Sequence, residues 1–465
     1  MGSIVLQLHK QVHFIGICGI SMSGLAMTLR QRGHIVTGSD VMSSGMSEEL
    51  RSHGISVNLG HNVSNIPLGA SLVVYTSAVK PDNPELAQAL ALGVPAIERA
   101  GLVGLLMNEY PRPICISGTH GKTTTTAMVS QILISASLDP TINVGGILPS
   151  IQSNYLVGCG PHFVAEACEY HDSFLHFRPH IGVVLNIEQD HLDYFKNLRH
   201  IEQSFASFVS SITPGGALIA NESMPSFEYI TESCNAQVIG YGAPTSRYTS
   251  ANHDFSRGGK ASFELIIDGI SQGRVSLRIP GEHNISNALA AIATCHTDGL
   301  ALGEIIRGLE AFTGTKRRFE HKGKLPGGIT LVDDYAHHPT EIRATLSAAR
   351  NGLGGRVVCI FQPHTFTRTK LLMNELGQAF SHADVVGVVD IYPARELDTG
   401  EVHSRDLVAK IGEAGMQASY LASQNDVEVF VKQTCIHGDL LITMGAGDVH
   451  RFGEAMLEPW NTSAT

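Results

Sequence analysis

The stretch from Ile114 to Leu133, ICISGTHGKTTTTAMVSQIL, constrains this chain more than any other. An apolar strand-like run enters a glycine-rich turn, the turn ends in Gly-Lys-Thr, and a helix follows. Consecutive backbone N–H groups in such a turn point into one concavity, the helix N-terminus adds partial positive charge and Lys122 adds a full one, so the pattern predicts a polyphosphate site. The spacing G-x-x-x-x-G-K-[ST] puts its first glycine at position 116, which is Ile116 here; Gly118, Thr119, His120, Gly121, Lys122 and Thr123 carry the rest, with Thr124 next in the helix. Gly-Lys-Thr alone is common, but after PICIS and before a helix it is specific.

The N-terminal segment repeats the strand-turn-helix plan. Val12 to Cys18 reads as a strand, Gly16 and Gly19 as its turn, a helix runs through Leu29 to Gly33, and HIVTGSD is a second strand. Asp40 ends that strand about 20 residues after the glycines, where such βαβ folds hold a ribose hydroxyl. The turn matches G-x-G-x-x-G only in part, so it predicts a nucleotide-like ligand without specifying NAD, and glycines that merely allow a tight turn are the plainer alternative. A third strand, Leu72 to Thr76, leads into a loop with Ser77, Asn83 and Glu85. MNEYPRP reads as a linker, because neither Pro111 nor Pro113 continues a helix or a central strand.

Two later strands, HFVAEA and HIGVVLNI, end in Glu166 and Glu169 and in Glu188, Asp190, His191 and Asp193. A Mg²⁺ on nucleotide phosphates needs hard oxygen ligands, which favours Glu166 with the Thr123 hydroxyl. From Gly216 to Pro280 alternating runs predict antiparallel strands. GEHNISNALAAIATC then starts a helix with His283, Asn284 and Asn287 in its first turn, groups that can recognise adenine or simply cap and pack the helix. The run FTGTKRRFEHKG predicts either a solvated basic face or a hinge that brings Arg317 or Arg318 onto a phosphate. Asp333 and Asp334 must point to opposite faces of their strand, and Pro339 opens the next helix. A loop with His364 and Arg368 follows one more apolar strand, DLLITMGAGDV is a last one with a glycine-rich turn, and three such strand-to-helix units predict a second Rossmann-like domain.

At 465 residues the chain suits about three domains. A formal charge of −11 without a basic run disfavours a nucleic-acid surface. Eight cysteines without a CxxC pair predict reduced thiols, no disulfides and no zinc. The first residues lack an apolar core followed by a small-residue cleavage site, and no apolar run approaches the ~20 residues of a spanning helix. The expectation is a cytoplasmic protein without membrane insertion, monomer or homodimer. Residue chemistry alone suggests two ligands joined using ATP, and leaves ligase, kinase and nucleotide-gated regulator open.

The motifs GICGISMSGLA, TGSD, YTSAVKPDNPE, GTHGKTTTT, EACEYHDSFL, NIEQDHLDYF, HNISNALAA, KRRFE, DDYAHHPTE and FQPHTFTRT together resemble the Mur ligases of peptidoglycan synthesis, over essentially the whole chain. His120 is similar to the members that add L-alanine and to those that add a tripeptide, whereas EACEYHDSFL and NIEQDHLDYF are similar to the members that add L-alanine rather than a tripeptide. The resemblance implies an α/β fold of three domains: a Rossmann-like N-terminal domain for a UDP-sugar (1–108), a central P-loop ATPase-like α/β domain for ATP (109–313) and a Rossmann-like C-terminal domain for the amino acid (314–465). It implies ATP and Mg²⁺ as cofactors, UDP-N-acetylmuramate and L-alanine as substrates, and an acyl-phosphate route with ADP and phosphate as products.

By the same resemblance, Gly16, Gly19, Ser21, Met22, Ser23, Ser39, Asp40, Ser77 and Arg99 would meet the UDP-sugar. The loop Gly118–Thr124, His283, Asn284, Asn287, Arg318 and Asp334 would meet ATP, with Lys122 on the β/γ-phosphates. Thr123, Glu166 and His191 would hold metal, and His337, His364 and Arg368 would orient alanine. Lys122, Glu166, His191, Arg318 and His337 would be catalytic. Two departures stand out: Thr365 follows the histidine of FQPH where many alanine-adding members carry Arg, and Cys18 and Ile20 replace the Gly and Ala common in the first turn. The rivals are the murein-tripeptide ligase of the same family, a hydride-transfer enzyme that would leave the phosphate loop unexplained, and a non-catalytic UDP-sugar or ATP sensor.

Overall fold

One rhythm recurs along the chain, a strand apolar on both faces followed by a helix, and strands joined through helices pair in parallel. The computed structural model describes residues 6–41, 43–76, 78–394 and 396–461. By internal contacts the chain divides into two units, 1–190 with 197–246 and 290–308, and 191–196 with 247–289 and 309–465.

In the first unit, β1 (Gln11–Ile15), β2 (Ile35–Asp40), β3 (Ser56–Leu59), β4 (Leu72–Tyr75) and β5 (Ala96–Glu98) form a parallel sheet in the order β3-β2-β1-β4-β5. The expected βαβ unit is present: the turn starts at Gly16, whose φ of 81° suits glycine, and the helix runs Ile20–Gln31 with Gly33 at φ 88° just past its end. Its Met22, Leu25, Ala26 and Leu29 are buried, as are Val12 and Phe14 of β1.

The same unit holds β6 (Arg112–Ser117), β7 (Thr141–Leu148), β8 (Ser153–Leu156), β9 (His162–Ala167), β10 (Ile181–Val184), β11 (Ala217–Asn221) and β12 (Gln237–Tyr241), in the order β12-β11-β10-β6-β9-β7-β8. Two expectations need correction here. Pro113 is not linker but the second residue of β6, opposite Phe163 of β9. β10 first pairs at Ile114, and the Pro113 carbonyl accepts from the N–H of His180 at 2.8 Å, so the missing N–H falls where the ladder has not begun. The antiparallel expectation fails for β11 and β12, which pair in parallel through the short helix Phe227–Thr231.

In the second unit, β13 (Tyr248–Arg257), β14 (Lys260–Ile267) and β15 (Ile270–Pro280) are antiparallel, as their alternation predicts. A second sheet follows from β16 (Glu320–Leu325), β17 (Ile329–Asp334), β18 (Val357–Phe361), β19 (Val385–Val388), β20 (Ala418–Tyr420) and β21 (Leu440–Met444), in the order β16-β17-β21-β18-β19-β20. It is parallel except at β16 and has buried clusters on both faces, one around Phe361 and Phe380, the other around Ile360 and Leu441. Among the described residues no helix is long and apolar enough to cross a membrane.

Candidate functional site

The phosphate loop follows β6, which runs through Ile116 and Ser117, so the position of the usual first glycine is a buried strand residue and the turn begins at Gly118. Gly118 has φ 142°, and a Cβ there would lie 3.0 Å from Leu185 Cβ and 3.2 Å from Asn186 N. Gly121, at φ 83°, precedes the helix Lys122–Ser135 as its N-cap. Asn186, just past β10, braces the loop three ways. Its carbonyl accepts from the Thr119 N–H at 3.1 Å, its Oδ1 from the His120 N–H at 2.8 Å, and its Nδ2 donates to the His120 carbonyl at 3.0 Å. The N–H groups of Gly121, Lys122, Thr123 and Thr124 are left to point past the helix start, which is the geometry that binds an anion.

Lys122 lies along this loop. Its ammonium donates to the carbonyls of Gly118 and of Thr119, the latter at 3.1 Å, and to the buried carboxylate of Glu169 at 2.9 and 3.2 Å. Burial works to lower the lysine pKa, but the charge of Glu169, aided by Glu166, outweighs it and holds the group above the ordinary lysine value. Glu166, on β9 opposite Ile116, accepts from the Gly145 N–H at 2.5 Å, and a Cβ on Gly145 would sit 2.8 Å from its Oε2. Thr123 is buried in the first helical turn. A carboxylate and a hydroxyl beside a phosphate-type loop are the hard oxygen donors that Mg²⁺ takes. His120 Nε2 stands 3.5 Å from a carboxylate oxygen of Glu188.

The residues expected at the UDP-sugar also gather, at the C-terminal edge of the first sheet. The Ser39 carbonyl accepts from Gly16 N–H (2.9 Å) and Ile17 N–H (3.0 Å), and the Asp40 carboxylate accepts from Cys18 N–H at 2.9 Å. Gly19 is the N-cap of the following helix, and Arg99 Nη1 donates to Ser21 Oγ at 3.1 Å. Met22 and Ser23 are buried, the Ser23 hydroxyl bonding the Ile20 carbonyl, so packing and local bonding occupy their side chains. Ser77 lies outside the described residues.

The second unit carries the remaining expected residues. His283 opens the helix His283–Thr297; Asn284 Nδ2 bonds the Pro280 carbonyl at 2.6 Å and Asn287 Nδ2 bonds Asn284 Oδ1 at 3.0 Å, so part of their amide capacity goes to fixing the helix start. His191, in the left-handed region at φ 52°, belongs to this unit and Glu166 to the first. The adjacent arginines take different jobs. Arg317 bonds Asp333 at 3.1 Å and the carbonyls of Gly445 (2.7 Å) and Gly447 (2.9 Å), whereas Arg318 lies 3.8 Å from Glu341, and both guanidiniums approach the Tyr335 ring within 5.0 to 5.1 Å. Asp334 is buried and accepts from Phe319 N–H (2.7 Å) and Ala336 N–H (2.8 Å), facing away from Asp333 as strand alternation requires.

His337, His364 and Arg368 come together. The two rings are 5.5 Å apart, Arg368 Nη1 is 2.9 Å from His364 Nδ1, and His364 stacks on Tyr392 at 5.8 Å. His337 is held by the Tyr335 carbonyl (3.0 Å to Nδ1) and, through its N–H, by Glu341 (3.2 Å). Thr365 is the N-cap of the helix Phe366–Leu371, accepting from the Arg368 N–H at 3.3 Å. The sequence gives no role to Glu169, Asn186, Glu341 or Tyr392; Glu169 and Glu341 stand in recognisable motifs, but nothing local tells which group each would meet.

Three family models match the chain in order: "Mur ligase family, catalytic domain" over residues 11–111, "Mur ligase middle domain" over 116–295 and "Mur ligase, glutamate ligase domain" over 317–447. A protein of Acetivibrio thermocellus named UDP-N-acetylmuramate--L-alanine ligase is 49% identical over 97% of this chain and 96% of its own length, and one of the same name from Lachnospira eligens is 47% identical over 96% and 98%. Among solved structures, the UDP-N-acetylmuramate-alanine ligase of Thermotoga maritima superposes with a TM-score of 0.83 at 28% identity, covering 98% of this chain and all of that one. A murein peptide ligase of Psychrobacter arcticus gives 0.72 at 26% identity, covering 97% and 98%. Three family models in succession span most of the chain, full-length relatives are nearly half identical to it, and the chain belongs to the Mur ligase family.

Proposed function

We propose that this protein joins L-alanine to the lactyl carboxylate of UDP-N-acetylmuramate at the expense of ATP, in the building of peptidoglycan precursors in the cytoplasm. The observation that carries the reading is the 49% identity, over nearly the whole of both chains, to a ligase of that name. The domain limits that go with it are 1–108, 109–313 and 314–465.

A carboxylate is a poor electrophile, so the reaction needs a better leaving group than oxide. The sugar carboxylate oxygen forms a bond to the γ-phosphorus, the bond to the β-phosphate bridging oxygen breaks, and ADP leaves. The amine of alanine then attacks the acyl carbon, inorganic phosphate departs with the bonding pair, and the nitrogen gives up a proton. Negative charge gathers as anions meet, so positioned cations do most of the catalysis. Lys122 and the N–H groups after Gly121 are assigned to the phosphates, and His283, Asn284, Asn287, Arg318 and Asp334 to the remainder of ATP. Thr123, Glu166 and His191 are assigned to Mg²⁺, which supplies charge neutralisation at the transferring phosphate. The edge formed by Gly16, Gly19, Ser21, Asp40 and Arg99 is assigned to the UDP-sugar. His337, His364 and Arg368 are assigned to alanine, Arg368 by pairing its carboxylate.

The test is phosphate release from ATP and Mg²⁺ with UDP-N-acetylmuramate and L-alanine together and with each omitted. Release that needs both, and is lost in Lys122→Ala, supports the reading. Release with the murein tripeptide in place of alanine moves the assignment within the family, and binding without release makes the protein a sensor.

A further inference from the structure

Glu85 is the second residue of the helix Pro84–Ala91, and its side chain is 0% exposed. Its carboxylate is nonetheless ringed by donors from distant parts of the first sheet. His13 Nε2 on β1 lies at 3.2 Å, the Ser39 hydroxyl on β2 at 2.6 Å, and the Asn62 N–H (3.1 Å) and Asn65 Nδ2 (2.6 Å) come from the turn after β3. The helix follows β4, so one carboxylate draws together elements that span the sheet order β3-β2-β1-β4. Burial pushes the carboxyl pKa up, but the hydrogen bonds from His13, Ser39 and Asn65 outweigh it and hold the group at about 2, ionised at any working pH.

An ionised carboxylate only accepts, and that fixes hydrogen-bond directions beyond it. The one proton of Ser39 goes to Glu85, so the 3.0 Å contact between Ser39 Oγ and His61 Nδ1 requires the proton on His61 Nδ1. Glu85 Oε1, 3.4 Å from the same nitrogen, favours that tautomer too. With the proton on Nδ1, the imidazole in its neutral form presents Nε2 as an acceptor. Ser39 in turn holds the N–H groups of Gly16 and Ile17 through its carbonyl, and the next residue, Asp40, holds that of Cys18.

From this chain of contacts we infer that Glu85 is a positioning residue for the UDP-sugar, setting the place and hydrogen-bond polarity of Ser39 on β2 and of His61 in the turn after β3 without touching the substrate. The inference rests on the functional reading above and adds a residue and a direction of action to it. A carboxylate that merely held the fold together would lower stability and affect every substrate alike. A positioning carboxylate acts on one substrate.

The experiment is a KM comparison on the full chain, wild type against Glu85→Gln, for each of the three substrates. Expected is a rise of about tenfold or more in KM for UDP-N-acetylmuramate, with kcat and the KM values for ATP and alanine within about twofold, and partial recovery in Glu85→Asp, which keeps the charge. An unmoved KM for the UDP-sugar in folded Glu85→Gln overturns the inference, and so does a uniform loss for all substrates that tracks the loss of Tm. If Glu85→Gln fails to fold, nitrogen-15 histidine spectra of the wild type, with His61 assigned through His61→Gln, decide: the Nδ1–H tautomer supports the inference and the Nε2–H tautomer overturns it. A wild type that releases no phosphate with UDP-N-acetylmuramate, alanine and ATP refutes the functional reading instead, whereas an active wild type with an insensitive Glu85→Gln refutes only the inference.

Discussion

Lys122 and Glu169 form an ion pair, Nζ to Oε2 at 2.9 Å, while the same ammonium is bonded to the carbonyls of the loop it serves. The pair keeps a half-buried cation in place at the helix start, and its removal is felt in two ways. Lys122→Ala takes away the charge assigned to the phosphates and is expected to lower turnover by about 10²–10³-fold, the effect of losing one positioned charge-stabilising group. Glu169→Gln leaves the lysine but frees it, so KM for ATP is expected to rise about tenfold with a smaller loss of kcat. Steady-state kinetics with ATP varied separates the two, and equal losses of kcat in both variants would contradict this division.

Gly118 is expected to be intolerant of any side chain. At φ 142° an alanine is strained by about 1–3 kcal/mol, and its Cβ would press on Leu185 and the Asn186 backbone. Gly118→Ala should therefore lower Tm and weaken nucleotide binding together, read by calorimetric titration with a non-hydrolysable ATP analogue.

Neighbouring arginines should separate stability from activity. Arg317 holds Asp333 and two glycine carbonyls, and Arg317→Ala is expected to destabilise by about 3–5 kcal/mol, as when one partner of a buried pair is removed. Arg318→Ala should leave the urea midpoint nearly unchanged and reduce kcat. Denaturation and turnover on the same two variants check both halves.

The cluster assigned to the amino acid should respond to shape as well as charge. Arg368 meets His364 through Nη1, and its planar guanidinium can pair a carboxylate at two points as lysine cannot, so Arg368→Lys is expected to raise KM for L-alanine by about tenfold or more while KM for ATP stays put. Equal KM values for alanine in the two proteins would remove Arg368 from the amino-acid assignment.

Glu85 also predicts a pH dependence of stability. Its carboxyl is lowered from 4.5 to about 2, so it contributes stability that is complete above the unfolded value and is lost as pH falls through the folded one. The advantage of wild type over Glu85→Gln should be constant from pH 7 to about 5 and shrink progressively below about 4.5, by up to roughly 3 kcal/mol, since each tenfold change in proton affinity is worth about 1.4 kcal/mol. Urea midpoints of both proteins at stepped pH give the curve, and a difference that stays flat down to pH 3 would show that ionisation of Glu85 is not the source.

What can be seen in the sequence is what lies close together in it. The phosphate loop and the first βαβ turn are runs of a few dozen residues in which period, glycines and a charge combine, and both fold as expected. The groups that finish these sites arrive from afar: Glu169 is 47 residues from Lys122, Asn186 is 66 from His120 and Glu85 is 46 from Ser39. No local pattern encodes such pairings. Pro113 is misread as linker because its fit depends on where the neighbouring strand begins, which is a matter of register. β11 and β12 are misread because apolar runs do not state strand direction. Thr365 stands out in the sequence as a missing positive charge; the structure adds that its hydroxyl caps the helix bearing Arg368.

The three bonds from Asn186 to the phosphate loop join the turn to the end of a neighbouring strand. The loop's shape is thereby inherited from the sheet instead of being imposed by an arriving nucleotide. Little ordering entropy then opposes capture, and release of ADP leaves the same mould standing for the next ATP. Turnover at this end of the protein can proceed by exchange of occupants in a permanent socket.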